Sequence, residues 1–414
     1  MNALTPDRET KFASATLQQV MASDTCAGCG ACALLAPGAV QLRMSGEGFL
    51  RPVQARALTA PEERGIAQVC PGRQLALVAG DREDHVLWGP FVEVRSGHAT
   101  DPAMRRNASS GGVLSGLLVH LLESGAVDVV VQTAASLDEP TGTRGVTSTT
   151  RDGVYGAAGS RYAPSAPLLE LGRALESGQR IAFVGKPCDV ATLRQLARID
   201  PRIDRQVVVA LSFFCAGIPS AAGARKVLEK MGVDPAEVTA FRYRGDGWPG
   251  FATATLKDGR EARMSYRDSW GGILSRHVQK RCKLCPDGIG SFADIVCADA
   301  WHTDAEGYPS FEEGEGTSLV MARTALGARI LQEAEARGAV STQPFDIRTL
   351  EPMQPGQVRK RRYLLARLMA MRALFRRTPR YDGFFLARNA RQAGLKENLR
   401  QFSGMLIREL GLKS

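Results

Sequence analysis

Apolar residues along this chain fall into two rhythms. Short, largely apolar runs, interrupted only by Asp128 and Ser212, occur at Val127 to Val131, Ile181 to Val184, Val207 to Phe214 and Ile295 to Ala298, and runs of that length bounded by turn residues predict buried strands. Between them, apolar positions at helical spacing predict a helix of about 12 to 14 residues opening in the Asn107-to-Gly112 stretch and ending near Leu122, and a second over Leu168 to Glu176. Alternation of this kind predicts an α/β body, mixed α+β in detail. Ahead of it, Gly38 to Arg43 reads as a short strand with Gly46 to Pro52 as its return, and beyond residue 346 the segment Arg359 to Arg377 reads as a basic helix.

Length and charge narrow the picture less. The 414 residues suit two or three domains, and 44% hydrophobic residues suit ordinary globular cores. No apolar stretch approaches the roughly 18 to 20 residues of a membrane span, and the start of the chain lacks the charged-then-apolar order of a signal peptide, so a cytoplasmic protein is expected. A formal charge of +10 attracts anions of many kinds. No nucleic-acid reader motif accompanies it, and no nucleic-acid partner is expected.

The nine cysteines change the picture. In a reducing compartment their spacing points to metal ligation or redox chemistry rather than disulfides. Cys26, Cys29 and Cys32 form a C-x2-C-x2-C run, which supplies three thiolates to one cubane cluster. Where a two-cluster ferredoxin continues with x3-C-P, this chain has Ala36-Pro37, while Cys70-Pro71 stands where the fourth ligand would reach back. The segment therefore reads as a ferredoxin reduced to one 4Fe-4S cluster held by Cys26, Cys29, Cys32 and Cys70; four thiolates on zinc is the alternative. Cys188 and Cys215 each follow a predicted buried strand, where open α/β sheets place ligands, and Cys282 and Cys285 form a C-x2-C knuckle. Spacing alone leaves two readings of these four: a second cluster, or buried small hydrophobes beside an empty knuckle. Cys297, inside an apolar run, reads as core.

The Asn107-Ala108-Ser109-Ser110-Gly111-Gly112 stretch puts small residues at a predicted helix start, where exposed N–H groups and the dipole suit a phosphate. An ordinary N-cap followed by core packing accounts for it equally. Neither G-x-G-x-x-G nor a P-loop is present, so dinucleotide binding of the Rossmann type and P-loop chemistry lose their usual support.

Taken in order, C-x2-C-x2-C, R-N-A-S-S-G-G, S-R-Y, V-G-K-P-C-D, F-F-C-A-G and C-x2-C-P followed by A-D-I resemble the coenzyme F-420 hydrogenase/dehydrogenase β-subunit family over roughly residues 20 to 345. That family also contains 7-hydroxymethyl chlorophyll a reductase and ferredoxin-dependent divinyl chlorophyllide 8-vinyl reductase. Together with the residue patterns, the resemblance divides the chain into a ferredoxin-like 4Fe-4S segment over residues 1–82, an FAD and 4Fe-4S body over 83–345 and, beyond the resemblance, a basic helical tail over 346–414. It implies FAD beside two 4Fe-4S clusters, the second held by Cys188, Cys215, Cys282 and Cys285. Expected cofactor contacts are Asn107, Ser109, Ser110, Gly111 and Gly112, with Ser160, Arg161, Tyr162 and Lys186 at the flavin or substrate pocket. Lys186 stands where the family commonly has Thr, and Ala298-Asp299 where it has Gly-Asp, which leaves the pocket chemistry open.

The expected activity is electron flow from reduced ferredoxin, or a similar small acidic carrier, through the clusters to FAD and a small-molecule substrate, which passes one-electron donors on to a two-electron acceptor. The alternatives are an electron-transfer β subunit working between a partner complex and coenzyme F-420 or another soluble carrier, and a zinc-stabilised binding module. The basic tail is expected to be a packing helix, or a docking surface for an acidic partner or an anionic membrane.

Overall fold

The computed structural model describes residues 13–303 and 309–412. At its centre lies an eight-stranded sheet in the spatial order Val340–Pro344, Glu93–Ala99, Ser318–Ala322, Ile295–Asp299, Val207–Phe213, Ile181–Val184, Val129–Ala135 and Thr143–Ser148. The strands at Ile295, Val207, Ile181 and Val129 run parallel, and the flanking strands run antiparallel. Parallel strands must be covered on both faces, which explains their largely apolar runs. Val113–Glu123 and Ala325–Ala336 cover one face through Leu117, Leu121, Ile330 and Leu331. Pro167–Glu176 and Pro187–Leu196 cover the other through Leu168, Leu171, Val190 and Leu193. The three leucines of that second set are fully buried, each contributing about 1.5–3 kcal/mol of transfer free energy.

Ala27, Cys29, Ala31 and Val69 of the N-terminal cysteine segment belong to this second core, so the segment packs directly on the sheet's helices. Its hairpin pairs Val40–Met44 with Leu50–Gln54. Opposite, a three-stranded meander (Val238–Arg242, Phe251–Leu256, Glu261–Ser265) packs on the Ala221–Lys230 helix. In the tail, Pro355–Ala373 and Leu395–Glu409 close over Leu284 through Leu364, Leu368, Met371 and Met405. The tail strand Arg380–Asp382 pairs in parallel with Gln74–Ala76. Among the described residues no helix is long and apolar enough to cross a membrane.

Several boundaries differ from those read in the pattern. The hairpin's return begins at Leu50 rather than Gly46, because Ser45 and Phe49 close a turn first. Asn107 ends a separate short helix, Pro102–Asn107, started by an Asp101 cap, and the long helix begins only at Val113. The strand expected from Val127 starts at Val129. The basic helix runs from Pro355 to Ala373, and much of its charge is not solvated: Arg361 is 3% exposed.

Candidate functional site

The first thiol set is assembled by three local devices. Gly28 takes a left-handed φ of 67°, and a Cβ there would lie 2.9 Å from the Leu50 carbonyl oxygen, so only glycine lets the loop turn under the hairpin. Its N–H donates to the Cys26 Sγ at 3.4 Å. Cys70 is delivered as the C-cap of Ala60–Val69, a helix started by a Thr59/Glu62 capping box. Ala36, at the position of the missing ferredoxin cysteine, is fully buried. Cys32 lies within the electrostatic reach of Cys26, Cys29 and Cys70. Burial pushes the Cys29 thiol up to about 12 and the Cys70 thiol to about 11; loss of those protons would have to accompany metal binding.

Cys188 is the second residue of the Pro187–Leu196 helix, following the Ile181–Val184 strand, and Cys215 follows the neighbouring parallel strand. The Cys188 thiol feels Cys215 and Cys285, and Cys215 feels Cys282 and Cys285, after the larger effect of burial, which pushes Cys215 up to about 12. Cys282 Sγ accepts from the Ile218 N–H at 3.3 Å and from Gln279 Nε2 at 3.7 Å. The tail covers this set: Gln357 Nε2 and Lys360 Nζ donate to the Cys215 carbonyl at 3.1 and 3.0 Å, Arg361 Nη1 to the Pro286 carbonyl at 3.0 Å, and Arg367 Nη1 to the Lys283 carbonyl at 3.1 Å.

The two sets meet on one helix. Thr192, one turn beyond Cys188, donates to the Cys188 carbonyl at 2.7 Å and faces Cys29 Sγ at 4.0 Å. Thiols that are buried, that accept N–H groups and that come in two fours fit a cubane, which takes one thiolate at each iron. Among the described residues no three or more His, Cys, Asp or Glu side chains gather at a single metal-ion position.

Cys215 also lines a cavity of about 290 Å³ above the carboxyl ends of the parallel strands, together with Ser109, Ser110, Gly112, Ser160, Arg161, Tyr162 and Lys186. A whole flavin dinucleotide is larger, so the cavity would enclose only part of one. The helix at its rim begins at Gly112 with no side-chain cap, which leaves the first N–H groups for a ligand. Arg161 has an enclosed Nε with no partner. Burial, then the neighbouring Arg242 charge, pulls its guanidinium down to about 10, a setting that favours a bound anion. These features fit the phosphate end of a flavin.

Not every expected contact faces the cavity. The Asn107 side chain is engaged by Arg242 Nη2 at 2.6 Å and donates to the Tyr155 carbonyl. Gly111 lies behind the wall, where a Cβ would meet the Gly97 carbonyl oxygen and the Ser318 nitrogen at 2.6 Å each. The Ser110 hydroxyl donates to the Thr317 carbonyl at 3.1 Å, and Ser109 to that of Arg244 at 3.2 Å. Lys186 reaches the wall with its ammonium already held by Asp189 Oδ2 at 2.7 Å and the Ser165 carbonyl at 2.8 Å. Burial pushes the Asp189 carboxyl up, opposed by the Lys186 ammonium, and its Oδ2 also accepts the Lys186 backbone N–H at 3.1 Å. Cys297 lines the cavity as well as the core.

Residues that spacing did not reveal complete the far wall. Arg244, 2% exposed, forms a two-pronged pair with Asp299 at 2.8 Å and lies against the stacked Tyr266 and Trp301 rings, 4.7 Å from each centroid. Trp248 donates to the same carboxylate at 2.9 Å. The run Arg242-Tyr243-Arg244-Gly245-Asp246-Gly247-Trp248 was the available signal, a dense mixture of charge, aromatics and glycine.

Residues 94–172 match the family model for the N-terminal part of the coenzyme F420 hydrogenase/dehydrogenase beta subunit, and residues 178–348 match the model for the C terminus of the same beta subunit. A coenzyme F420 hydrogenase subunit beta from Methanosarcina barkeri is 26% identical over 290 residues, covering 66% of this chain and 87% of that protein. The coenzyme F420 hydrogenase subunit beta of Methanothermobacter thermautotrophicus is 25% identical over 283 residues, covering 66% and 89%. Among solved structures, a chain of the F420-reducing NiFe hydrogenase complex from Methanosarcina barkeri has a similar fold, with a TM-score of 0.51 at 24% identity over 68% of this chain and 95% of that one.

Proposed function

The chain belongs to the coenzyme F420 hydrogenase/dehydrogenase β-subunit family, and on that premise we propose that it is an iron–sulfur flavoprotein subunit exchanging electrons between a partner complex and coenzyme F420 or another soluble carrier. The observation that carries this reading is continuity: Cys29 faces Thr192, Thr192 is bonded to Cys188, and Cys215 of the second set lines the cavity. Cys26, Cys29, Cys32 and Cys70 would hold one 4Fe-4S cluster and Cys188, Cys215, Cys282 and Cys285 the other. The Val113 helix start and Arg161 would hold the anionic end of FAD. A bound flavin supplies the exchange between a hydride and single electrons. The chain's own contribution is to exclude water from both thiol sets, to fix the cavity wall through Arg244 and Asp299, and to keep the tail closed over the second knuckle.

Anaerobically purified chain is expected to carry about eight irons and eight sulfides, from two complete sets of four thiolates, together with one releasable FAD. Zinc without labile sulfide would refute the reading. A carrier assay then separates donors: reduced coenzyme F420 should bleach the flavin quickly, and should still do so after Cys26→Ser.

A second reading, electron flow from reduced ferredoxin through the clusters and FAD to an organic substrate, is favoured by one observation. The first thiol set lies at residues 26 to 70, outside the residues matched by the family models, which suits a separate one-electron entry point. Fast reduction by ferredoxin that is abolished by Cys26→Ser would select it.

A further inference from the structure

Arg281 lies between the two thiol sets. It is 2% exposed, and its Nη2 donates to the carbonyl of Pro71, the residue after Cys70, at 3.0 Å. Its Nε and Nη1 have no partner, and the Tyr381 ring lies 5.8 Å from its central carbon. The acidic groups nearest to it in effect are Tyr381, a phenol that burial keeps protonated, and the thiols of Cys285, Cys188 and Cys282, with no carboxylate ahead of them. Its own charge acts in turn on Cys26 and Cys70 of the first set. A buried cation without a counter-ion costs several kcal/mol, and a guanidinium does not escape that cost by losing its proton. The chain nevertheless keeps one facing both sets of cysteines; Lys186, whose charge also acts on Cys29 and Cys188, is already paired with Asp189. Four thiolates around an iron–sulfur core leave a net negative charge, so two liganded sets would provide the missing counter-charge from both sides.

We propose that Arg281 is the shared counter-cation of the two clusters and raises the reduction potential of both. The inference rests on the two-cluster reading above. Each cluster gains one electron on reduction, delivered by the carrier or, in a titration, by dithionite, and becomes more negative by one charge. A fixed guanidinium stabilises that reduced state more than the oxidised one. Lys360 provides an internal contrast: it donates to the carbonyls of Cys215 and Ala216 at 3.0 and 3.2 Å, both at the second set, and its charge acts on Cys215. Arg281 therefore serves two clusters, and Lys360 one.

The test is a dithionite titration of the fully loaded chain followed by electron paramagnetic resonance. Iron near four per wild-type chain would fail the two-cluster reading before any variant is compared. With both clusters present, Arg281→Gln is expected to lower the reduced-to-oxidised ratio of each at fixed potential at least tenfold, which is 59 mV for a one-electron couple. Arg281→Met, close to the native volume, carries the same test if the glutamine variant does not load. Arg281→Lys should hold both ratios near wild type, and Lys360→Met should move only the second cluster. The proposal is overturned if either cluster is unmoved in the neutral variants, or if Arg281→Lys falls as far as they do, which would make arginine's shape the cause.

Discussion

The pair Arg244–Asp299 offers a quantitative test of how the cavity wall is held. In Asp299→Ala the Arg244 guanidinium loses two charge-assisted bonds of 2.8 Å yet stays walled in by Tyr266 and Trp301, and Trp248 Nε1 loses its acceptor. Removing one partner of a buried pair costs about 3–5 kcal/mol, and an orphaned buried donor adds about 1–3 kcal/mol. Arg244→Met should cost less, about 2 kcal/mol, because the Asp299 side chain is 18% exposed and can regain water. Replacing both, as Arg244→Met with Asp299→Leu, removes the charge and its counter-charge together, which for buried pairs is often near neutral. The double variant should thus fall short of the summed single costs by at least about 2 kcal/mol. Urea unfolding read by tryptophan fluorescence is the assay, since Trp248 and Trp301 stack beside the pair at 4.8 Å. Single costs that add within about 0.5 kcal/mol would show that the two side chains are not coupled, and the account of the wall would fall.

Three further outcomes are expected. Leu364→Ala, at a fully buried tail position packed on Leu284, should cost about 2–5 kcal/mol and release iron from the second set before the first, measured as chelator-accessible iron. Gly111→Ala forces a methyl against two backbone atoms at 2.6 Å and should cost about 1–3 kcal/mol, with FAD retention reduced in proportion; unchanged stability would contradict the close approach. Burial, ahead of nearby charges, holds His85 and His120 below the ordinary value of 6.5, so below that pH the unfolded chain takes up protons the folded chain refuses. Stability should be complete above about pH 6.5 and fall as the pH drops through that value towards the folded-state values, seen as lower urea midpoints at pH 5.5 than at pH 7.5, with the difference reduced in His120→Gln.

What can be read from the sequence is what short-range geometry controls. Three cysteines three residues apart can only bend around one centre, and apolar runs before Cys188 and Cys215 end where sheet topology collects strand termini. The helix start at Gly112 is legible as a place for an anion, but its outward-facing groups are not. Ser109 and Ser110 line the cavity but spend their hydroxyls on carbonyls 135 and 207 residues away, and Asn107 turns to Arg242, so motif membership does not say which side chains are free for a ligand. Lys186 escapes sequence reading for a similar reason, since its partner Asp189 sits one helical turn away and satisfies it locally. Arg281 and Arg244 carry no local signal. The Arg281 contact to Pro71 spans 210 residues, and the meaning of a lone arginine beside a cysteine depends on whether an acid lies within reach once the chain has folded. The tail resembles a charged surface because Arg361 and Arg367 satisfy backbone carbonyls, a role with no compositional mark.

The closure of that tail over the second knuckle sets an order of events during synthesis. Cys285 is made about 70 residues before the Pro355–Ala373 helix begins, an interval of roughly 4–14 s at about 5–20 residues per second. For that time Cys188, Cys215, Cys282 and Cys285 exist on a nascent chain that has no tail helix to cover them. Once Arg361 and Arg367 take their carbonyls and Arg380–Asp382 zips onto Gln74–Ala76, the same thiols lie behind a helix. Slow codons between those points would lengthen the loading window, and fast ones would seal empty sites.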